Sequence, residues 1–459
     1  MIKILSTIGP ATEKEKDLRK VLKFSDFIRL NGAHGSLVWH KKITNLIKKI
    51  NPNCRILIDF PGIKPRTMNS SKVYIKKNTL VKFFYKKNYK IRNTNYIPIP
   101  ISRSLPKFKN PKFFTVSDGR YKFKFFSKGK NFLIGKSLQN FVLKSQKGLN
   151  IPFSIYDNHL QEKVYLKFLE KIKKYKIDAI GLSYVQNSEL IEKIKKKTDH
   201  IIVSKIENIE GCKNLKKICV SSDIIMIDRG DLSAEIGEEN LFRQTTEISN
   251  CAKSYGKLLI MATENLDSMM NNNSPSKSEI ISLGFSKILN ADYLMLSDET
   301  ATSNRFMYIL KWLDNFNNKK SIESISKNKQ IKKKNLNIEI FYENLSNIDN
   351  QNTNVVLFTR KGYIIEKLLK KNPKLNLIVF TDNKRVYDLS SLRANSRAFL
   401  VKKFPRAMDK FIYNSIKKNL KLIFKDKNLI YLVYATFARK QSRANTISVL
   451  ERKDFLDEI

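Results

Sequence analysis

Cysteine is scarce in these 459 residues: Cys54, Cys212, Cys219 and Cys251 stand far apart, with no C-x-x-C pair and no histidine at zinc-finger spacing. That spacing argues against a secreted disulfide framework and a structural zinc site, and the thiols read as reduced cysteines of a cytoplasmic protein. No apolar run approaches the length of a membrane-spanning helix, and the apolar N-terminal stretch meets Gly9-Pro10 too soon for a signal peptide. No membrane partner is therefore expected. Acidic residues are few, 42 against 87 Lys and Arg, which leaves a net charge of +45. So large a charge suits nucleic acid or an anionic surface. The lysines are nevertheless spread along the whole chain rather than clustered with aromatics. With Gly and Pro sparse and Asn, Ile and Phe abundant, the excess reads as coding drift, and nucleic acid is not an expected partner. A positive field that draws in nucleotides and phosphorylated acids at low salt survives this reading.

What is present is alternation. The length suggests two to four domains. Eight short apolar runs, at 2–8, 26–30, 55–59, 179–184, 200–206, 224–227, 258–262 and 293–296, are separated by segments of helical period. Eight strand–helix units with near-continuous Ile, Leu and Val predict a closed (β/α)8 barrel over residues 1–67 and 153–320. Residues 68–152 interrupt the rhythm with Lys/Tyr/Phe alternation and the turn Ser117-Asp118-Gly119, the pattern of an inserted all-β domain, read as a small barrel forming a lid over the mouth. A charged, Asn-rich segment from about 319 to 354 reads as a helix flanked by loops. Runs at 355–358, 377–380, 398–401 and 430–434 then predict a C-terminal α/β domain over 321–459.

Several runs end in polar residues two apart, which share one face of a strand. Arg29 and Asn31 close the second, Lys205 and Glu207 the fifth, Arg229 and Asp231 the sixth, and Ser297 and Glu299 the eighth; Asp59 and Thr263 end the third and seventh. In a parallel barrel these ends converge on one mouth. Glu207 and Asp231 are hard oxygen ligands of the kind Mg²⁺ or Mn²⁺ takes. Lys205 and Arg29 can neutralise a transferring phosphoryl group, and the Arg229-Gly-Asp231 turn offers backbone N–H groups to a carboxylate. Taken singly, Lys205 and Glu207 read more readily as a rim salt bridge than as catalytic groups, and Asp231 reads equally as a helix cap. Thr263 and Ser297 alone are ordinary strand-end hydroxyls, and His34, with His40, an ordinary packing residue. Their joint placement at successive strand ends favours phosphoryl transfer, since no Ser/His or Cys/His partnership is visible.

At these residues the sequence resembles the pyruvate kinase family over nearly its whole length. Arg29-Leu-Asn-Gly-Ala-His-Gly35 is similar to R-L-N-x-S-H-G, Asp59-Phe-Pro-Gly-Ile-Lys-Pro-Arg66 to D-x-x-G-P-[EK]-I-R, and Lys147-Gly-Leu-Asn-Ile-Pro152 to K-G-V-N-L-P. The strongest runs are Ser204-Lys-Ile-Glu-Asn-Ile-Glu-Gly211, Arg229-Gly-Asp-Leu232, Ala262-Thr263 and Ser297-Asp-Glu-Thr-Ala301. The resemblance implies a kinase of phosphoenolpyruvate and ADP/ATP, Mg²⁺-dependent and homotetrameric. It implies Lys205 as the phosphoryl-stabilising lysine, Glu207 and Asp231 as divalent-metal ligands, and Arg29 as a phosphate contact. The substrate carboxylate would fall to the backbone of Gly230 and Asp231 and the Thr263 hydroxyl. Asn31, Asp59 and the carbonyl of Phe60 would line a monovalent-cation site, with His34, Arg66 and Lys147 near the nucleotide. Ser297 and Glu299 would form a relay protonating the enolate.

Departures from the pattern carry their own expectations. Ala33 replaces a serine that would ligate K⁺, and Lys64 stands where K⁺-independent members carry lysine, so K⁺ is not expected to be required. Glu264 and Asn265 replace Gln-Met, Ser233 and Asp298 replace glycines, and Ile63 and Pro65 interchange the usual pair. Residues 359–364 keep part of the effector loop, and Ser442, before Asn445, stands for a late glycine, so regulation by a sugar phosphate is not expected. The competing readings are a drifted, weakly active or inactive barrel retained for binding or assembly, and another enolate-forming reaction on the same barrel.

Overall fold

The computed structural model describes residues 2–85, 95–117, 119–318, 353–405, 408–424, 429–434 and 446–455. Asp118, the helix expected within 319–354, and the late stretch with Ser442 and Asn445 fall wholly or mainly outside them.

Eight parallel strands close into a barrel: β1 (Lys3–Thr7), β2 (Phe27–Asn31), β3 (Arg55–Asp59), β4 (Ala179–Leu182), β5 (Ile201–Ile206), β6 (Ile224–Asp228), β7 (Leu258–Ala262) and β8 (Tyr293–Leu296). Each matches one of the eight apolar runs to within two residues at either end. These strands are buried on both faces, which is why their sequence is a continuous apolar run instead of an alternation. One set of side chains, Leu5, Phe27, Leu57, Val203, Met226, Ile260 and Met295 among them, fills the interior. The other set, including Ile28, Ile58, Ile202, Ile225 and Leu294, packs against the surrounding helices.

Polar residues at the loop ends start those helices. Ser36 accepts from the Trp39 amide at the start of Leu37–Ile50, and Asp157 caps Asn158–Ile172. Asn208 caps Ile209–Lys213, and Ser276 with Glu279 forms a capping box on Lys277–Ile288.

Between β3 and β4 the chain builds a six-stranded sheet of Leu149–Asn150, Phe113–Val116, Tyr121–Gly129, Phe132–Ser137, Leu80–Phe84 and Ile97–Pro100, in that order, and a separate pair, Phe141–Leu143 with Val73–Ile75. Its two edges are stitched by isolated bridges through adjacent residues, Arg66 to Gly148 and Thr67 to Ile101. Phe83, Phe114 and Phe123 pack its core.

The C-terminal sheet runs Ser396–Leu400, Leu377–Thr381, Thr353–Phe358, Leu429–Tyr434, Thr446–Glu451. The first four strands, which fall at the four apolar runs, are parallel, and the fifth is antiparallel to Leu429–Tyr434. Its helix Lys384–Leu392 docks on the N-terminal floor of the barrel, where Leu392 joins the interior cluster and accepts a hydrogen bond at its carbonyl from Tyr293 Oη at 2.6 Å. Among the described residues no helix is long and apolar enough to cross a membrane.

Candidate active site

The C-terminal ends of β2, β3, β5 and β6 bring four carboxylates and two cations together. Lys205, at the end of β5, lies 2.5 Å from Glu207 Oε1, 3.3 Å from Asp228 Oδ2 and 3.6 Å from Asp59 Oδ2. Arg29 donates through Nε to the same Asp59 oxygen at 2.8 Å and through Nη1 to Thr7 Oγ1 at 3.2 Å. The register places Asn31 opposite Asp59, and Asp59 opposite Gly181, where there is no Cβ to fill the space. An added Cβ at Gly181 would sit 2.2 Å from Asp59 Oδ1.

Burial works against the Lys205 ammonium, yet Glu207, Asp59 and Asp228 outweigh it and raise its pKa. Burial likewise opposes the Arg29 and Asp59 charges, but each partner's charge and hydrogen bond wins, raising Arg29 and lowering Asp59. Glu207 behaves differently. Burial, against Lys205 and with help from Asp228 and Asp231, pushes it up to about 7. Its Oε2 accepts the Tyr184 amide at 2.8 Å, while the Oε1 contact with Lys205 falls short of a directed hydrogen bond. Asp231 is held down to about 2: burial would raise it, but the Lys64 ammonium, 2.5 Å from its Oδ1, prevails.

Carboxylate oxygens of Glu207, Asp228 and Asp231 lie within 4.8 Å of one another. A hard-oxygen trio around an under-neutralised Glu207 fits a divalent cation of the Mg²⁺ or Mn²⁺ class. Asp228 is the member that the sequence reading missed. It ends the apolar run of β6, and its signal was its place immediately before Arg229-Gly-Asp231.

Thr263 is brought to the cluster: its Oγ1 accepts from the Gly230 amide at 3.0 Å and donates toward Asp228 Oδ1 at 3.2 Å. Arg229 does not enter the mouth; it is buried beneath it, bonded to the carbonyls of Ala262 and Thr263 and to Asn265 Oδ1. His34 stands on the loop after β2, open to solvent on one side. Partial burial and then the charges of Arg66, Arg29 and Lys147 lower its pKa, which places these cations in one neighbourhood. Arg66 itself donates to the Gln146 carbonyl at 3.0 Å.

Glu299 is fully buried, accepting the amides of Leu266 at 3.3 Å and Ser297 at 2.6 Å. Burial and Asp267 push it up to about 8. Phe60 is buried with its amide on the Gly181 carbonyl, and Asn31 Oδ1 accepts the Ala33 amide at 3.1 Å. Asp59 Oδ1 is buried without a hydrogen bond. Lys64 is brought to Asp231 at the metal trio.

Fold and mouth together define a (β/α)8-barrel protein whose strand ends carry a carboxylate cluster bridged by lysine. The family described as "Pyruvate kinase, barrel domain" matches residues 1–307, and the chain belongs to the pyruvate kinase family. It is 30% identical over 303 residues to a pyruvate kinase of Methanocaldococcus jannaschii, covering 65% of this chain and 64% of the relative. It is also 30% identical over 306 residues to that of Thermoplasma acidophilum, covering 65% and 54%. The alignments therefore span just under two thirds, and about half, of these relatives. The crystal structure of a pyruvate kinase from Pyrobaculum aerophilum shares the fold across 98% of both chains, with a TM-score of 0.76 at 20% identity.

Proposed function

We propose that this chain transfers the phosphoryl group of phosphoenolpyruvate to ADP, giving pyruvate and ATP. The observation that carries the reading is Lys205, buried between Glu207, Asp228 and Asp59 and beside Arg29 at the barrel mouth. An ammonium so held is pre-oriented toward charge developing on a transferring phosphoryl group, without reorganisation as it moves. A Mg²⁺ or Mn²⁺ ion held by Glu207, Asp228 and Asp231 would neutralise phosphoryl and enolate oxygens. Arg29 binds the phosphate, and the Thr263 hydroxyl with the amides of Gly230 and Asp231 holds the substrate carboxylate. His34, Arg66 and Lys147 receive the nucleotide. Ser297 and Glu299 relay the proton to the enolate carbon, a role suited to a carboxyl that stays protonated near neutrality.

We further propose a cytoplasmic homotetramer. Exposed Phe242 and Ile281, with Phe242 stacked on Phe285, give the helices Leu241–Ser254 and Lys277–Ile288 an apolar outer face that supports self-association. K⁺ is not required in this reading, Lys64 supplying the positive charge.

The test is pyruvate formation from phosphoenolpyruvate and ADP with Mg²⁺. Lys205→Met is expected to lower kcat by about 10³-fold. An inactive, well-folded wild type would favour the alternative of a drifted barrel kept for binding or assembly. For the monovalent ion, equal rates in Na⁺ or tetramethylammonium and in K⁺ are expected; a large stimulation by K⁺ would overturn the role given to Lys64.

A further inference from the structure

One turn beyond Asp231 on the helix Arg229–Ile236 stands Glu235, fully buried. Its Oε1 accepts from Tyr156 Oη at 3.1 Å, while Oε2 is sealed from solvent without a hydrogen-bond partner. A buried, half-satisfied carboxylate in a native site calls for a reason. Burial raises Glu235, and the charge that most opposes this is Lys64, with the nearby Ser154 amide a lesser influence.

Lys64 rests on Asp231 Oδ1 and lies 5.7 Å from the centre of the Tyr184 ring. That ring stands edge-on to Tyr156, with centroids 5.1 Å apart. Lysine, two tyrosines and two carboxylates thus share one enclosed compartment. Residues four apart on a helix are neighbours, about 5–6 Å between Cβ atoms, within the swing of a lysine side chain. Asp231 also belongs to the carboxylate trio, where a divalent cation and an ammonium would compete for its oxygens and repel each other.

We propose that Glu235 is a second acceptor for Lys64: without metal the ammonium rests on Asp231, and when a divalent cation takes Asp231 the ammonium moves one helical turn to Glu235 Oε2. The inference rests on the metal reading given above. Glu235 is then a positioning residue, acting on the metal site through Lys64 and transferring nothing itself.

The experiment is Mn²⁺ binding to the full chain, followed by the electron paramagnetic resonance of the free ion, in the wild type, Glu235→Gln, Lys64→Met and the double variant. Glu235→Gln keeps the side-chain volume and the Tyr156 contact. It is expected to weaken Mn²⁺ binding about tenfold when Lys64 is present and by less than about twofold in the Lys64→Met background. Lys64→Met alone, which needs no change at Glu235, is expected to tighten binding by removing the competitor. Equal weakening by Glu235→Gln in both backgrounds, no weakening, or unchanged binding in Lys64→Met overturns the proposal. Wild-type binding that is lost in Glu207→Gln but indifferent to Glu235 overturns this proposal alone. A wild type that binds no Mn²⁺ overturns the metal reading together with it.

Discussion

At the scale of single residues, the mouth is defined by charges that burial would extinguish if each stood alone. Four carboxylates, Asp59, Glu207, Asp228 and Asp231, face three cations, Arg29, Lys64 and Lys205, and the shortfall appears at Glu207. While Lys64 rests on Asp231, Glu235 stays outside this exchange and burial favours its protonated form. Its pKa rises from 4.5 in the unfolded chain to about 8 in the fold. Between those values the folded state holds a proton that the unfolded state has lost, so its contribution is full below 4.5 and is lost as pH rises through 8. Asp231 has the opposite sign, and its effect is confined to pH below 4. Denaturant titrations of the metal-free protein are therefore expected to lose stability from pH 5 to 8. Glu235 contributes up to about 1.4 kcal/mol per pH unit of that loss. Glu207 and Glu299 tilt the curve the same way, so the measure is the difference between wild type and Glu235→Gln. Parallel curves for the two proteins would contradict the buried, protonated Glu235.

At the scale of elements, the turn after β7 shows where sequence becomes hard to read. Thr263 and Glu264 have φ of 60° and 52°, a left-handed pair without glycine that costs about 1–2 kcal/mol per residue. Arg229 fixes it from below through the carbonyls of Ala262 and Thr263. Asn265 holds Arg229 at 2.9 Å while donating to the Met295 carbonyl at 2.7 Å and the Met261 carbonyl at 3.3 Å. Asn265→Ala leaves these buried groups unpaired, so a stability loss of about 1–3 kcal/mol is expected in denaturant titration. A fall in kcat should accompany it, since the turn aims the Thr263 hydroxyl; unaltered kcat with the stability loss would reduce Asn265 to a structural role. Nothing in Thr-Glu-Asn announces that turn. The eight barrel strands were legible for the opposite reason, because burial on both faces writes a continuous apolar run. The fifth C-terminal strand, Thr446–Glu451, was not legible: its side chains are half-buried or exposed, and no such run marks it. Asp228 was not legible because the apolar run of β6 stops one residue short of the strand's polar end.

At the scale of the whole molecule, the sequence shows separate blocks and gives no sign of how they meet. The meeting is at the barrel floor. Arg55, on β3, reaches Asp178 at 3.1 Å and Asp388 at 2.6 Å, and Arg385 pairs with Asp223. Leu392 extends the helix Lys384–Leu392 into the interior, 1% exposed, beneath Phe27 and Tyr293, whose rings meet edge to face at 5.4 Å. A leucine from the C-terminal unit is thus the lowest layer of the barrel, and the floor is closed by residues about a hundred positions or more from the strands they touch. Leu392→Ala removes that layer while sparing the backbone hydrogen bond from Tyr293 and the three ion pairs. The expected cost is about 2–5 kcal/mol, read from denaturant unfolding. Because the cavity opens inside the barrel, the loss should fall on one cooperative transition that reports barrel and C-terminal sheet together. If barrel unfolding kept its wild-type midpoint and only the C-terminal unit melted earlier, Leu392 would be a docking contact and not part of the barrel core.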